Sequence, residues 1–156
     1  MLARIRSAAV LGIDAYLVEV EVDITNGLPS VATVGLPHGA VKEGRERVTA
    51  ALVNAGYSFP LKRITINLAP ADVRKDGSGF DLPIALGILA ASEQLDAGGL
   101  AEQLILGEVG LEGDLRPVRG ALSMTLAARK AGLRGVILPA ANLPEAEIEG
   151  RACTMR

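Results

Sequence analysis

The sequence predicts one α+β domain of mixed α/β character, and three observations carry that prediction. The length, 156 residues, suits a single domain. Period-2 alternation fills the first third, and helical spacing enters only after Gly39. From there strand-like and helix-like runs alternate to the end, as in a layered sheet-and-helix fold.

The elements follow in order. Ile5 to Leu11 reads as a strand ended by Gly12. In Ala15 to Ile24, Val18, Val20, Val22 and Ile24 share one parity, and Leu17, Glu19, Glu21 and Asp23 the other. One dry and one acidic face suit an outer strand of an antiparallel sheet. Asn26-Gly27-Leu28-Pro29 is turn chemistry, Ser30 to Val34 resumes a strand, and the opening therefore reads as a meander. From Ala40 to Ala55, Val41, Arg45, Val48, Leu52 and Ala55 mark one helical face, with Gly56 as the stop. Lys42/Glu46 and Glu43/Arg47 fall at i,i+4 on the opposite face. Arg63 to Leu68 is a strand, and Leu82 to Ser92 a helix apolar nearly all round, hence buried. Pro83 fits its first turn, and Asp81 its N-cap. Leu104 to Val109 is a strand, turning through Leu111-Glu112-Gly113-Asp114 into Leu115-Arg116. Leu122 to Ala131 is a helix, Gly135 to Leu138 a strand, Asn142 to Glu147 a short helix and Ala152 to Met155 a final strand. The order is β-β-β-α-β-α-β-β-α-β-(α)-β.

Composition excludes several functions. With 49% hydrophobic residues the chain is not disordered, and no charge-free run approaches the roughly 20 residues of a membrane span. The start, Met1-Leu2-Ala3-Arg4-Ile5-Arg6, lacks the pattern of a secretory leader, so the cytoplasm is the expected compartment. Sixteen Lys and Arg against 18 Asp and Glu leave a net charge of −2, unlike a dedicated nucleic-acid binder. Two Tyr, two Phe and no Trp supply no platform for stacking bases. One Cys and one His cannot assemble a Cys/His metal set, so no metal site is expected. There is no G-x-x-x-x-G-K-[ST] run and no G-x-G-x-x-G after a strand, so no nucleotide cofactor is expected in this domain. His38 suits a loop or capping role better than that of a general base, and Cys153 a small buried hydrophobe.

Two stretches are rich in chemistry. Asn67 to Pro83 joins a stiff Pro70, the cations Arg74 and Lys75, and Gly77-Ser78-Gly79 ahead of a helix. This reads either as turn chemistry or as a loop that binds an anion or holds an activated Ser78. Gly107 to Gly120 reads as a hairpin plus a helix entry, with Arg116 and Arg119 near its exposed end.

A family resemblance runs through these strings. Val22-Asp23-Ile24-Thr25-Asn26-Gly27-Leu28-Pro29, Val34-Gly35-Leu36-Pro37, Arg63-Ile64-Thr65-Ile66-Asn67-Leu68-Ala69-Pro70-Ala71-Asp72 and Phe80-Asp81-Leu82-Pro83-Ile84-Ala85 closely resemble the N-terminal domain of the ComM/YifB proteins. These are AAA+ ATPases of the magnesium-chelatase-like kind. The resemblance implies that residues 1–156 form a Lon-proteolytic-domain-like fold. It also implies that the AAA+ module, with its ATP and Mg2+, lies outside this chain. The implied partners are that module, ring neighbours in a hexamer, and branched or single-stranded DNA, with no membrane. The implied activity is that of a DNA helicase promoting branch migration in recombination during natural transformation.

Active Lon domains carry a serine and a lysine at positions that fall here on Gly79 and Leu122, with Ser78 one residue early. The resemblance thus implies a degenerate dyad and no catalytic residue. A Ser-Lys peptidase and a magnesium-chelatase-like accessory domain are the alternatives. If the domain touches DNA, the candidate cations are Lys62, Arg63, Arg74, Lys75, Arg116 and Arg119.

Overall fold

The computed structural model describes residues 1–146 and the strand 152–155. Its elements are β1 (Leu2–Leu11), β2 (Asp14–Thr25), β3 (Ser30–Val34), α1 (Ala40–Asn54), β4 (Arg63–Ala69), α2 (Asp81–Ala91), β5 (Gln103–Ile105), β6 (Glu108–Val109), β7 (Leu115–Arg116), α3 (Ala121–Lys130), β8 (Gly135–Pro139), α4 (Leu143–Ala146) and β9 (Ala152–Met155). Seven strands form one mixed sheet in the order β3-β4-β2-β1-β5-β8-β9, and β6 with β7 makes a separate hairpin. This is the mixed α/β single-domain architecture expected. Among the described residues no helix is long and apolar enough to cross a membrane.

Side-chain parity divides the molecule into layers. Val18, Val20, Val22 and Ile24 join Ile64, Ile66, Leu68, Ile105 and Ile137 beneath α1 and α2. The opposite parity, Leu104, Leu106, Val136 and Leu138, meets Ala121, Met124 and Ala128 of α3 on the other face. α2 is the centrepiece, with every one of its residues buried. Gly87 lets it lie close on the sheet, because a Cβ there would stand 2.6 Å from Val22 Cγ2.

Several expectations are corrected. The opening is not a meander: β1 and β2 pair antiparallel, whereas β3 pairs parallel with β4 and becomes the sheet edge. β2 is therefore interior, between β4 and β1, although its acidic face is indeed the half-exposed one. There Glu21 accepts hydrogen bonds from Arg4 and Asn67. Gly44 and Ala51 complete the buried stripe of α1, while Arg45 is exposed. The predicted strand from Leu104 to Val109 is two strands. Gly107 donates its N–H to the Gly79 carbonyl (3.0 Å) and accepts from the Leu82 N–H (2.9 Å), which draws the chain off the sheet. The short helix begins at Leu143, and Glu147 lies outside the described residues. So does the side chain of Cys153, although its backbone lies in β9.

Truncating α2 should be costly. Leu86→Ala, at a buried position, should destabilise the fold by about 2–5 kcal/mol in denaturant unfolding. An unchanged midpoint would mean that α2 does not hold the layers together.

Candidate functional site

Most of the functional expectations converge on one end of the sheet. Following β4, the chain crosses the mouth of the fold as residues 70–80 and enters α2. Lys75 is held on both sides by the segment after β3: its N–H donates to the Leu36 carbonyl (3.0 Å), and its carbonyl accepts the His38 N–H (2.9 Å). Its side chain is fully buried. Nζ donates to the Gly35 carbonyl at 2.8 Å and also to that of Pro70. Burial pushes the ammonium below its ordinary pKa, against the pull of Asp72. Lys75 is a brace and presents nothing to solvent. This corrects the sequence reading, which counted Lys75 among the cations that could touch DNA, since most lysines are exposed.

Beyond Lys75, Asp76 folds its carboxylate back onto the Gly77 N–H at 2.8 Å. Ser78 follows, and its hydroxyl donates to Glu108 Oε2 at 2.5 Å. Both line a cleft of about 480 Å³, walled by Ala8, Ala9 and Val10 of β1, Pro117, Val118 and Arg119 beyond the hairpin, and Met124 of α3. Gly79 is in the cleft wall; Leu122 is half-buried in α3 and is not among the lining residues. Among the described residues no lysine or histidine lines the cleft. The Ser78 hydroxyl thus stands beside a carboxylate, with neither an amine nor an imidazole among the described residues that line the cleft.

Behind the cleft lies a buried ion pair that the sequence reading missed. Asp81 does not cap α2; it is the first residue of that helix and accepts from Arg47 in a fork, Nε to Oδ2 at 2.7 Å and Nη2 to Oδ1 at 3.1 Å. Oδ2 also accepts the Val109 N–H at 3.3 Å, and Arg47 donates to the Ala40 carbonyl at 2.8 Å. Burial pushes the Asp81 carboxyl above its ordinary pKa; Arg47 and the Val109 N–H pull it down, and Glu108 adds to the rise. The hydrogen bond to Asp81 raises Arg47 in turn. A signal was present in the sequence: Gly44, in mid-helix, costs stability relative to alanine. The structure uses the missing side chain, since a Cβ there would lie 2.5 Å from Asp81 Oδ1.

The anion-binding alternative for this loop meets the same carboxylates. A phosphate at this helix start would meet Asp81 and Glu108, and the Ser78 hydroxyl is already given to Glu108. The residues present therefore do not fit a nucleotide triphosphate. Among the described residues no three His, Cys, Asp or Glu side chains gather into a cation site.

The six candidate DNA-contacting cations do not form one surface. Arg119 lines the cleft, exposed Arg74 sits two residues before Asp76, and Arg116 pairs across the hairpin with Glu108. That pairing is one of backbone register; the Arg116 side chain bonds Asp114, at 3.4 Å. Lys62 and Arg63 lie at the start of β4, and Lys62 lines a second cleft with Ser92 and Gln94 beyond the last turn of α2. An eleven-residue helix, about 16 Å long, separates the two ends. His38 is exposed in the loop before α1.

Comparison with known proteins gives a consistent picture. The family model described as subunit ChlI of Mg-chelatase matches residues 20–142. YifB of Salmonella typhimurium is 50% identical over 144 residues, 92% of this chain and 28% of that protein. The competence protein ComM of Haemophilus influenzae is 49% identical over 147 residues, 94% of this chain and 29% of its own length. Lon protease of Mycolicibacterium smegmatis is 29% identical over 147 residues, 88% of this chain and 18% of that enzyme. The chain thus spans less than a third of the length of the YifB and ComM relatives.

The balance at Asp81 is measurable by NMR titration of its carboxyl carbon. Its midpoint should lie above the ordinary aspartate value of about 3.9. A raised folded-state pKa gives a stability contribution that is complete below the unfolded value and lost as pH rises through the folded one. A midpoint below the ordinary value would mean that the Arg47 fork outweighs burial.

Proposed function

The chain belongs to the Mg-chelatase ChlI-like family that includes YifB and ComM, and on that footing we propose that it is the non-catalytic N-terminal domain of a ring-forming AAA+ ATPase that acts on DNA. In this reading the whole protein is a helicase that drives branch migration when incoming DNA is recombined in natural transformation. ATP and Mg2+ belong to its AAA+ module, and the six modules of the ring position six copies of this domain. What supports the non-catalytic part is that the two positions the Lon resemblance gives to a serine and a lysine hold Gly79 and Leu122 here. The similarity to ComM, a competence protein by name, supports the DNA part.

The peptidase alternative needs an amine near Ser78. Lys75 is the nearest lysine in sequence, and its Nζ is committed to the Gly35 and Pro70 carbonyls. The chelatase-accessory alternative draws only on the description of the matching family. For DNA, Arg74, Arg116 and Arg119 at the cleft end are the residues we assign to phosphate contact, with Lys62 and Arg63 as a separate, lesser patch. Lys75 drops out of that set because it is buried. Three arginines, of which Arg119 shares the cleft with Asp76 and Glu108 and Arg116 is bonded to Asp114, make a weak site, which a ring would strengthen through multivalency.

Fluorescence anisotropy with forked DNA tests this at low and physiological salt. Binding should be weak, independent of sequence and steeply salt-dependent. Arg74→Ala/Arg116→Ala/Arg119→Ala should lower the slope of log affinity against log salt by roughly 2–3. Equal slopes for the two proteins would remove this rim from the DNA-binding account.

A further inference from the structure

β1 outruns its neighbour on one side. It pairs with β2 along its whole length, from Leu2↔Asp23 to Leu11↔Asp14. With β5 it pairs through Arg6↔Leu104 alone, and β5 ends at Ile105, whose carbonyl accepts the Ser7 hydroxyl at 2.8 Å. Past that point the Gly107 hydrogen bonds to Gly79 and Leu82 carry the chain away. Among the described residues, then, no strand lies beside Ala8–Leu11 on that side. A strand edge left open offers a row of N–H and C=O groups at alternate residues.

The cleft opens on this edge. Three consecutive β1 residues, Ala8, Ala9 and Val10, line it. Successive strand residues point to opposite faces, so a cavity that meets all three approaches the strand from its side. Its other walls come from both layers, Ala40 of α1 and Met124 of α3.

We propose that this cleft binds an extended polypeptide segment by strand addition to Ala8–Leu11, and that the segment carries apolar side chains and a basic one. The main chain of β1 supplies the hydrogen bonds, and pockets beside it receive alternate side chains. Val118 and Met124 form the apolar wall; Asp76 and Glu108 outnumber Arg119 and select a lysine or arginine on the guest. A strand edge is extended by backbone amides, which a nucleic-acid strand lacks, so the guest on this edge is a peptide. With Gly79 and Leu122 at the dyad positions that the Lon resemblance implies, the segment is held and not cut.

The probe is a fluorescein-labelled peptide of alternating valine and arginine, titrated into the 156-residue chain. It is compared with a copy whose backbone amides are N-methylated and with an alternating valine and glutamate peptide. The arginine peptide should bind and protect amides in Ala8–Leu11 from hydrogen exchange. N-methylation should weaken it by about tenfold or more, since several backbone hydrogen bonds are lost together. The glutamate peptide should bind more weakly still. Glu108→Gln, with its melting temperature checked, should narrow the preference for arginine over glutamate. Equal binding of the methylated copy, binding without protection of Ala8–Leu11, or no binding of the arginine peptide would each overturn the proposal. Those arms involve no variant and stand even if Glu108→Gln fails to fold.

Discussion

The carboxylate of Asp81 is the constraint on which the rest of this molecule depends. Its side chain is 2% exposed, and an isolated buried carboxylate would cost several kcal/mol. It is tolerated because Arg47 of α1 grips both oxygens and the Val109 N–H of β6 adds a third bond. One side chain thereby ties together α1, the start of α2 and the hairpin that follows β5. An ion pair so deeply placed is weak evidence for net stability. What it does is fix geometry: it holds the hairpin over the first turn of α2, with Ser78 against Glu108.

Lys75 makes a parallel bargain a few residues earlier. In another setting an amine near a glycine-rich serine loop would be a catalytic base. Here its ammonium satisfies two backbone carbonyls and ties the loop to the segment after β3. The cleft therefore keeps a serine against a carboxylate while the lysine nearest to it in sequence is spent on architecture.

Much of the fold was legible in the sequence. β3 and β9 have the predicted bounds, and the three longer helices lie within a residue of theirs, because alternation, the 3.6-residue period and Gly56 and Gly132 mark them locally. The pairing of β3 was not legible, since a turn-like Asn26-Gly27-Leu28-Pro29 suggests the neighbour before it. Its actual partner is decided by α1, which carries the chain across to a parallel register with β4. The site was half legible: Ser78, Gly79 and Arg119 were identified, whereas Arg47, Asp81 and Glu108 were not recognised as site groups. Charged residues at helical spacing read as a solvated face, and only tertiary contact turns Arg47 inward. The burial of Lys75 has the same cause.

The central claim is that a complete Lon-like fold here lacks a reactive serine. It is tested most directly by incubating the chain with a serine-reactive fluorophosphonate and reading the intact mass against a heat-denatured control. The account predicts no adduct beyond that control. A stable adduct mapped to Ser78 would contradict it.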